Sequence, residues 1–291
     1  MKNEHRVLLG WRDGRLYGVD EVPSGLACDC YCPACKSPLI AKKGRKVRHH
    51  FSHYERNACT WANETALHLL AKSVLTQARF IRTPAVHIPR HPEALYPVRV
   101  QNIRRVWCER RYGQQRPDLA VVFSNGQWLN IEIAVTHFTP VKKIAFYRKR
   151  HWNAIEIDCS DLMDYSGNRE AFIRHLQQRL LHGIDHKKWL YHHGQALFLR
   201  KLQQLAERRK VRHYRWGQRH FFNVYGCPQY KRHRKTVMGK TVSYASLTQD
   251  CWHCPYLLRQ HVDETGDQLI PHAILCWGHL QHLFDQEQEG E

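Results

Sequence analysis

The sequence has 291 residues, with 45 Lys plus Arg against 26 Asp plus Glu, a formal charge of +19 and a pI near 9.6. That balance selects polyanionic partners, nucleic acid ahead of an acidic membrane surface. No apolar run approaches the ~18–20 residues that span a bilayer, and the start MKNEHRVLLGWRDG is charged too soon for a signal peptide. A cytoplasmic protein is expected, and there its 11 cysteines serve metals rather than disulfides.

Residues 5–22 alternate around Asp13-Gly14, which predicts a small β-ribbon. In the stretch CDCYCPACKSPLIAKKGRKVRHHFSH, Cys32-x2-Cys35 precedes a turn at Gly44, and His50-x2-His53 follows it. Two thiolates on a knuckle and two imidazoles after a hairpin close a zinc tetrahedron, with Cys28, Cys30, His49 and Cys59 near enough to substitute. A site closed by four protein ligands is structural. Residues 61–80 place Leu67, Leu70, Ala71, Val74, Leu75 and Ala78 at the helical period. Glu64, His68 and Lys72 follow one another a turn apart along the flank of that stripe. On an isolated helix they make a solvated face; beside a sheet that carries carboxylates they border a site.

Residues 81–115 contain several prolines and the basic run Arg104, Arg105, Arg110 and Arg111, with Val98–Val106 read as the first strand of the sheet. The segment RPDLAVVFSNGQWLNIEIAVTH, residues 116–137, then holds two β-forming runs, Leu119–Phe123 and Trp128–Val135, around Asn125-Gly126. A two-residue turn pairs Asp118 with Ile133 and leaves Glu132 on the opposite face. A three-residue loop with Gly126 left-handed, the G1-bulge hairpin, pairs Asp118 with Glu132. The two acids then share a face. Adjacent carboxylates repel unless a cation lies between them, and hard oxygen ligands suit Mg²⁺ or Mn²⁺. The plainer alternative makes Asp118 a turn residue and Glu132 an edge-strand acid.

Lys142 and Lys143 follow, then a strand over residues 152–158 with Glu156 and Asp158 on one face, then a helix over Arg169–Leu181. Composition shifts after Gly183, so the expected domains are 1–60, 61–183 and 184–291. A helix from Trp189 to Lys210 is expected to run into a basic, aromatic stretch. There Arg212, Arg215, Trp216, Arg219, Lys231, Arg232 and Arg234 combine cations for phosphates with rings for bases. Cys227, Cys251, Cys254 and Cys276 offer four thiolates to zinc or to a [4Fe-4S] cluster, a staple for a tail poor in aliphatic residues. Residues 286–291 are expected to be disordered.

In this order the Cys-x2-Cys and His-Phe-x-His knuckle, the Glu-x3-His-x3-Lys helix, Arg-Pro-Asp-Leu and Ile-Glu-Ile resemble the competence protein CoiA-like family, whose members are similar to PD-(D/E)XK nucleases. The resemblance covers roughly residues 25–160. It implies an α/β chain with a restriction-endonuclease-like mixed sheet flanked by helices after an N-terminal zinc knuckle; the C-terminal four-cysteine metal module, read from its residues alone, lies outside it. It also implies a Mg²⁺-dependent nuclease in which Asp118 and Glu132 hold the ion and Glu64 joins directly or through water. The lysine of that motif is replaced by Ala134. Lys72 is the expected migrated replacement and Lys143 the alternative, with His68 as an acid–base or supporting group and His137 as a proton carrier or a surface residue. The expected substrate is DNA ahead of RNA, in uptake, recombination, repair or defence, with a protein partner in a larger complex a further expectation. The rival reading is a nucleic-acid-binding accessory with structural metal sites.

Overall fold

A computed structural model describes residues 7–55, 59–164, 169–265 and 268–289. Two compact units emerge: Met1–Pro84 with Arg99–His192, and Ala85–Val98 with His193–Glu291.

The first unit opens with five antiparallel strands in the order β2-β1-β3-β4-β5. They are β1 (Leu9–Arg12), β2 (Arg15–Gly18), β3 (Gly25–Tyr31), β4 (Pro38–Lys42) and β5 (His50–His53). Cys28, Cys30, Leu39, Ala41 and Phe51 pack as its small core. Helix α1 (Ala62–Thr76) follows. It is shorter than its periodicity suggests because residues from Phe80 onward leave as β6 (Phe80–Thr83) and pair with Arg99–Asn102. The chain lends a two-stranded ribbon, β7 (Val86–His87) and β8 (Ala94–Tyr96), to the second unit. It then returns through β9 (Arg99–Cys108), β10 (Leu119–Phe123), β11 (Trp128–Ala134), α2 (Val141–Arg150), β12 (Ala154–Asp158), α3 (Arg169–Gln177) and β13 (Lys187–Tyr191).

These strands form a mixed sheet in the order β13-β12-β11-β10-β9-β6. Only β11 and β12 run parallel, and α2 spans the crossover that a parallel pair needs. Alternation sends Leu119, Val121, Phe123, Leu129, Ile131 and Ile133 into a core shared with Leu67, Leu70, Ala71 and Leu75 of α1. The other face is left for polar and aromatic groups. The β10–β11 hairpin pairs Leu119 with Ile131 and Ala120 with Asn130, so the next rung sets Asp118 opposite Glu132. Gly126 has φ +83°, and the bonds from Gly126 N to Phe123 O and Phe123 N to Gln127 O close the loop. The three-residue bulged turn, rather than the two-residue one, therefore fixes the register.

The second unit adds α4 (His193–Leu205), β14 (Glu207–Trp216), β15 (Arg219–Tyr225), β16 (Arg232–Lys235), β17 (Thr241–Ser246), β18 (Leu257–Thr265), β19 (Gln268–Cys276) and α5 (Gln281–Glu289). Its strands make a sheet in the order β16-β17-β15-β14-β19-β18, antiparallel throughout. The helix expected over 189–210 is thus corrected at both ends. Trp189 is in β13 opposite Ile155, and Glu207–Lys210 pair with Cys276–Ala273. The expected disorder of 286–291 is corrected too: α5 runs to Glu289, because buried Phe284 anchors it and Tyr96 Oη donates to Glu287 at 2.8 Å. Residues 290 and 291 lie outside the described residues. No described helix is long and apolar enough to cross a membrane.

Candidate functional site

On the polar face of the first unit's sheet, acids fall in a row. Asp118, the residue just before β10, falls one rung beyond the Leu119–Ile131 pair, opposite Glu132 on β11, and Glu132 pairs with Glu156 on β12. Each acid meets a cation from a different element. Lys72 of α1 reaches Asp118 Oδ1 at 2.9 Å and Glu109 Oε1 at 2.8 Å. Lys143 of α2 reaches Glu132 Oε1 at 2.7 Å and Oε2 at 2.8 Å, and donates to the Arg116 carbonyl at 2.9 Å. Lys188 of β13 reaches Glu156 Oε1 at 2.6 Å. Both lysines expected as replacements for the motif lysine therefore meet an acid of the row, Lys72 meeting Asp118 and Lys143 meeting Glu132. Ala134, two residues beyond Glu132, is buried and offers nothing polar.

Glu132 is 5% exposed, and the Tyr147 hydroxyl also donates to it. Burial pushes its carboxyl up and the like charge of Asp118 adds to this, while Lys143 and Tyr147 pull it back. Burial and the neighbouring Glu132 charge push the Tyr147 phenol up as well, so it stays a donor. Asp118 Oδ2 accepts from Ile133 N at 3.0 Å, which fixes its rotamer across the hairpin. Burial alone would lower Lys72, but the charges of Asp118 and Glu109 outweigh it and keep the ammonium charged. His68 Nδ1 lies 3.9 Å from Asp118 Oδ2, and burial holds its pKa below the ordinary value, so a neutral imidazole faces the acid.

Glu64, one turn before His68, has a buried Oε2 with no hydrogen-bond partner. A carboxylate oxygen kept from both water and donors fits a place for a cation. Asp118, Glu132 and Glu64 offer only hard oxygen, the chemistry of Mg²⁺ or Mn²⁺ ligands, but their carboxylate oxygens are not all gathered within 4.8 Å of one another. Lysine ammoniums tie the row together. His137 is exposed, bonded to Thr136 at 2.8 Å and stacked on Trp61; neither acid is among these partners.

At the N-terminus, Cys32 Sγ, Cys35 Sγ, His53 and Cys59 Sγ present donor atoms all within 4.8 Å of one another, and among the described residues this is the one set that does so. Cys32 and Cys59 are 3.8 Å apart, and Cys35 Sγ lies 3.4 Å from His53 Nε2. Sulfur–sulfur separations in a zinc tetrahedron, from Zn–S bonds of about 2.3 Å, are roughly 3.8 Å, so the set fits zinc. This corrects the expected fourth ligand. His50 and His53 are three apart on β5, and alternation points them to opposite faces. His50 is turned inward, with Nδ1 2.8 Å from the Arg48 carbonyl oxygen, while Cys59 returns before α1 to complete the set.

In the second unit, Cys227, Cys251, Cys254 and Cys276 line a single cavity with Arg209, Val224, Leu257 and Ile274. Burial, then the proximity of the other three cysteines, pushes Cys251 up to about 12. Their sulfurs are not gathered within 4.8 Å as the knuckle's are. Arg215, Trp216 and Arg219 lie at the exposed end of the β14–β15 hairpin, where Trp216 is opposite Arg219, whereas Arg212 sits further along β14, opposite Asn223 and over the Tyr225 ring. Lys231 precedes β16, which carries Arg232 and Arg234, and Arg232 is tied to Asp250 at 2.6 Å.

Sequence reasoning passed over Tyr147, Glu109 and the alignment of Glu156 with Glu132. A parallel β11–β12 pairing, inferable from the intervening helix, was the available signal for Glu156. Zinc content measured on the purified protein tests the revised ligand set: Cys59→Ala should lose the knuckle's zinc and His50→Ala should keep it, whereas the reverse pattern would restore the original assignment.

Residues 27–62 match the family model described as Competence protein CoiA, N-terminal domain. That segment contains Cys32, Cys35, His53 and Cys59, so the match and the metal-ligand geometry coincide. The chain matches no curated protein and no solved structure. Residues 27–62 are thus similar to the N-terminal domain of the competence protein CoiA family, in the segment that carries the metal-ligand set.

Proposed function

We propose that the protein is a metal-dependent nuclease of PD-(D/E)XK type, acting on DNA in a competence-related process such as uptake or recombination. The carrying observation is that Asp118 and Glu132 share one rung of the sheet, each gripped by a lysine from a different helix. The chain's charge of +19 supports a polyanionic substrate. Asp118, Glu132 and Glu64 would hold Mg²⁺ or Mn²⁺, which lowers the pKa of a water and offsets phosphate charge. Lys143, released from Glu132, is placed to orient the attacking water and meet developing negative charge. Lys72 holds Asp118 in place through their ion pair. His68, neutral at ordinary pH, can accept a proton near Asp118. Tyr147 holds the Glu132 rotamer.

Nicking of plasmid DNA with Mn²⁺ tests the reading. Asp118→Ala and Glu132→Gln should each cut at least ~100-fold more slowly, and Lys143→Met should also fall. Equal cutting by wild type and both acid variants would remove the enzyme. Ala134 favours the second reading, a binding accessory with weak or no cleavage, which would bind DNA yet show no Mn²⁺-dependent nicking.

The tail cysteines, which line one cavity, we assign to a second structural metal, zinc first and a [4Fe-4S] cluster second. A cluster would give a brown protein absorbing near ~400 nm after anaerobic purification. A colourless protein carrying two zinc ions per chain would assign zinc to both sites. One metal ion in total would leave the tail unliganded.

A further inference from the structure

We propose that an arginine–tryptophan strip on the acid-bearing face of the sheet binds single-stranded nucleic acid and leads it to the Asp118–Glu132 rung. Its end point rests on the nuclease reading; its existence rests on ring geometry alone. Trp107 on β9 is opposite Ala120, Arg105 is opposite Val122, and Trp128 on β11 is opposite the same Val122. Paired residues share a face, so these groups lie on the side that carries both acids.

The two tryptophans come from strands that are not neighbours. They lean across β10, over small Ala120, until their rings stack at 5.0 Å with 4° between the planes. Arg110 lies over Trp107 at 5.2 Å, over Trp128 at 5.4 Å and over Tyr112 at 5.4 Å. Arg105 covers Trp107 at 5.5 Å. Tyr112 continues the strip to Trp152, with ring centroids 4.6 Å apart. An ordinary hydrophobic cluster would bury such rings and would not interleave them with guanidinium groups. Here Trp128 is 44% exposed, and Arg105 and Arg110 are exposed.

Ring faces accept only bases that have left a duplex stack, whereas guanidinium groups serve both phosphates and π-faces. The combination therefore selects a single strand over a double helix. Trp128 is four residues from Glu132 on β11. At ~3.4 Å per residue that is about 14 Å, roughly four nucleotides at the spacing of stacked bases. A strand engaged on the rings can thus present a nearby phosphodiester to the acids. The partner chemistry is a polynucleotide with accessible bases, DNA or RNA.

The test is fluorescence anisotropy of labelled oligo(dT) and oligo(rU), about 16 nucleotides long, beside a blunt duplex, with no added Mg²⁺ or Mn²⁺ so that cutting plays no part. Trp128→Ala and Arg110→Ala should each weaken single-strand binding about 5- to 100-fold on at least one oligonucleotide. Duplex binding should change less than about twofold, and Trp128→Phe should recover most of the affinity. Unchanged single-strand affinity in both alanine variants overturns the inference, as does equal weakening on duplex, or a wild type that does not bind single strands. A protein that binds through the strip but never cuts would leave this inference standing and remove the nuclease.

Discussion

The pairing of Asp118 with Glu132 across the β10–β11 hairpin is the constraint on which the rest of the site depends. Side chains on a strand alternate, so a slip of one residue would carry Glu132 into the apolar core and Ile133 onto the site face. What prevents the slip is a single left-handed residue, Gly126, whose φ of +83° lets a three-residue loop close. The apolar face adds its own weight. Leu129, Ile131 and Ile133 are nearly inaccessible, and burial of side chains this size is worth roughly 1.5–3 kcal/mol each. Register and core therefore enforce one another.

Once the acids share a rung, electrostatics dictates their surroundings. Two adjacent carboxylates, with Glu132 buried, repel unless cations lie beside them. Lys72 and Lys143 supply these, from helices that pack for independent reasons: α1 through its leucine stripe, and α2 as the crossover between parallel strands. Ala134 leaves the strand without a cation, and a helix passing over the rung provides one. The buried, unpartnered oxygen of Glu64 is the remaining electrostatic debt of the arrangement, and a divalent ion is the group that would settle it.

Much of this was legible in the chain. Asn125-Gly126 between two apolar runs indicated the hairpin, and the face carrying Asp118 and Glu132 follows once the bulged turn is chosen. The leucine stripe of α1 was equally plain. The knuckle was visible but its ligand list was not, because His50 and His53 are equivalent in spacing and differ only through the face each takes on β5. The second unit was misread for a different reason. Residues 207–216 alternate charged with mixed side chains and carry no apolar period, so their strand character comes from pairing with β15 and β19, remote in sequence. The Trp107–Trp128 stack depends likewise on two strands flanking a third.

The central claim is that the Asp118–Glu132 rung is a divalent-cation site and the lysines are its escorts. A crystal soaked with Mn²⁺ and measured at the manganese absorption edge addresses it directly. The account predicts an anomalous peak touching carboxylate oxygens of both Asp118 and Glu132, with Lys143 turned away from Glu132. Crystals that show no such peak at saturating Mn²⁺, with Lys72 and Lys143 still bonded to the two acids, would contradict it.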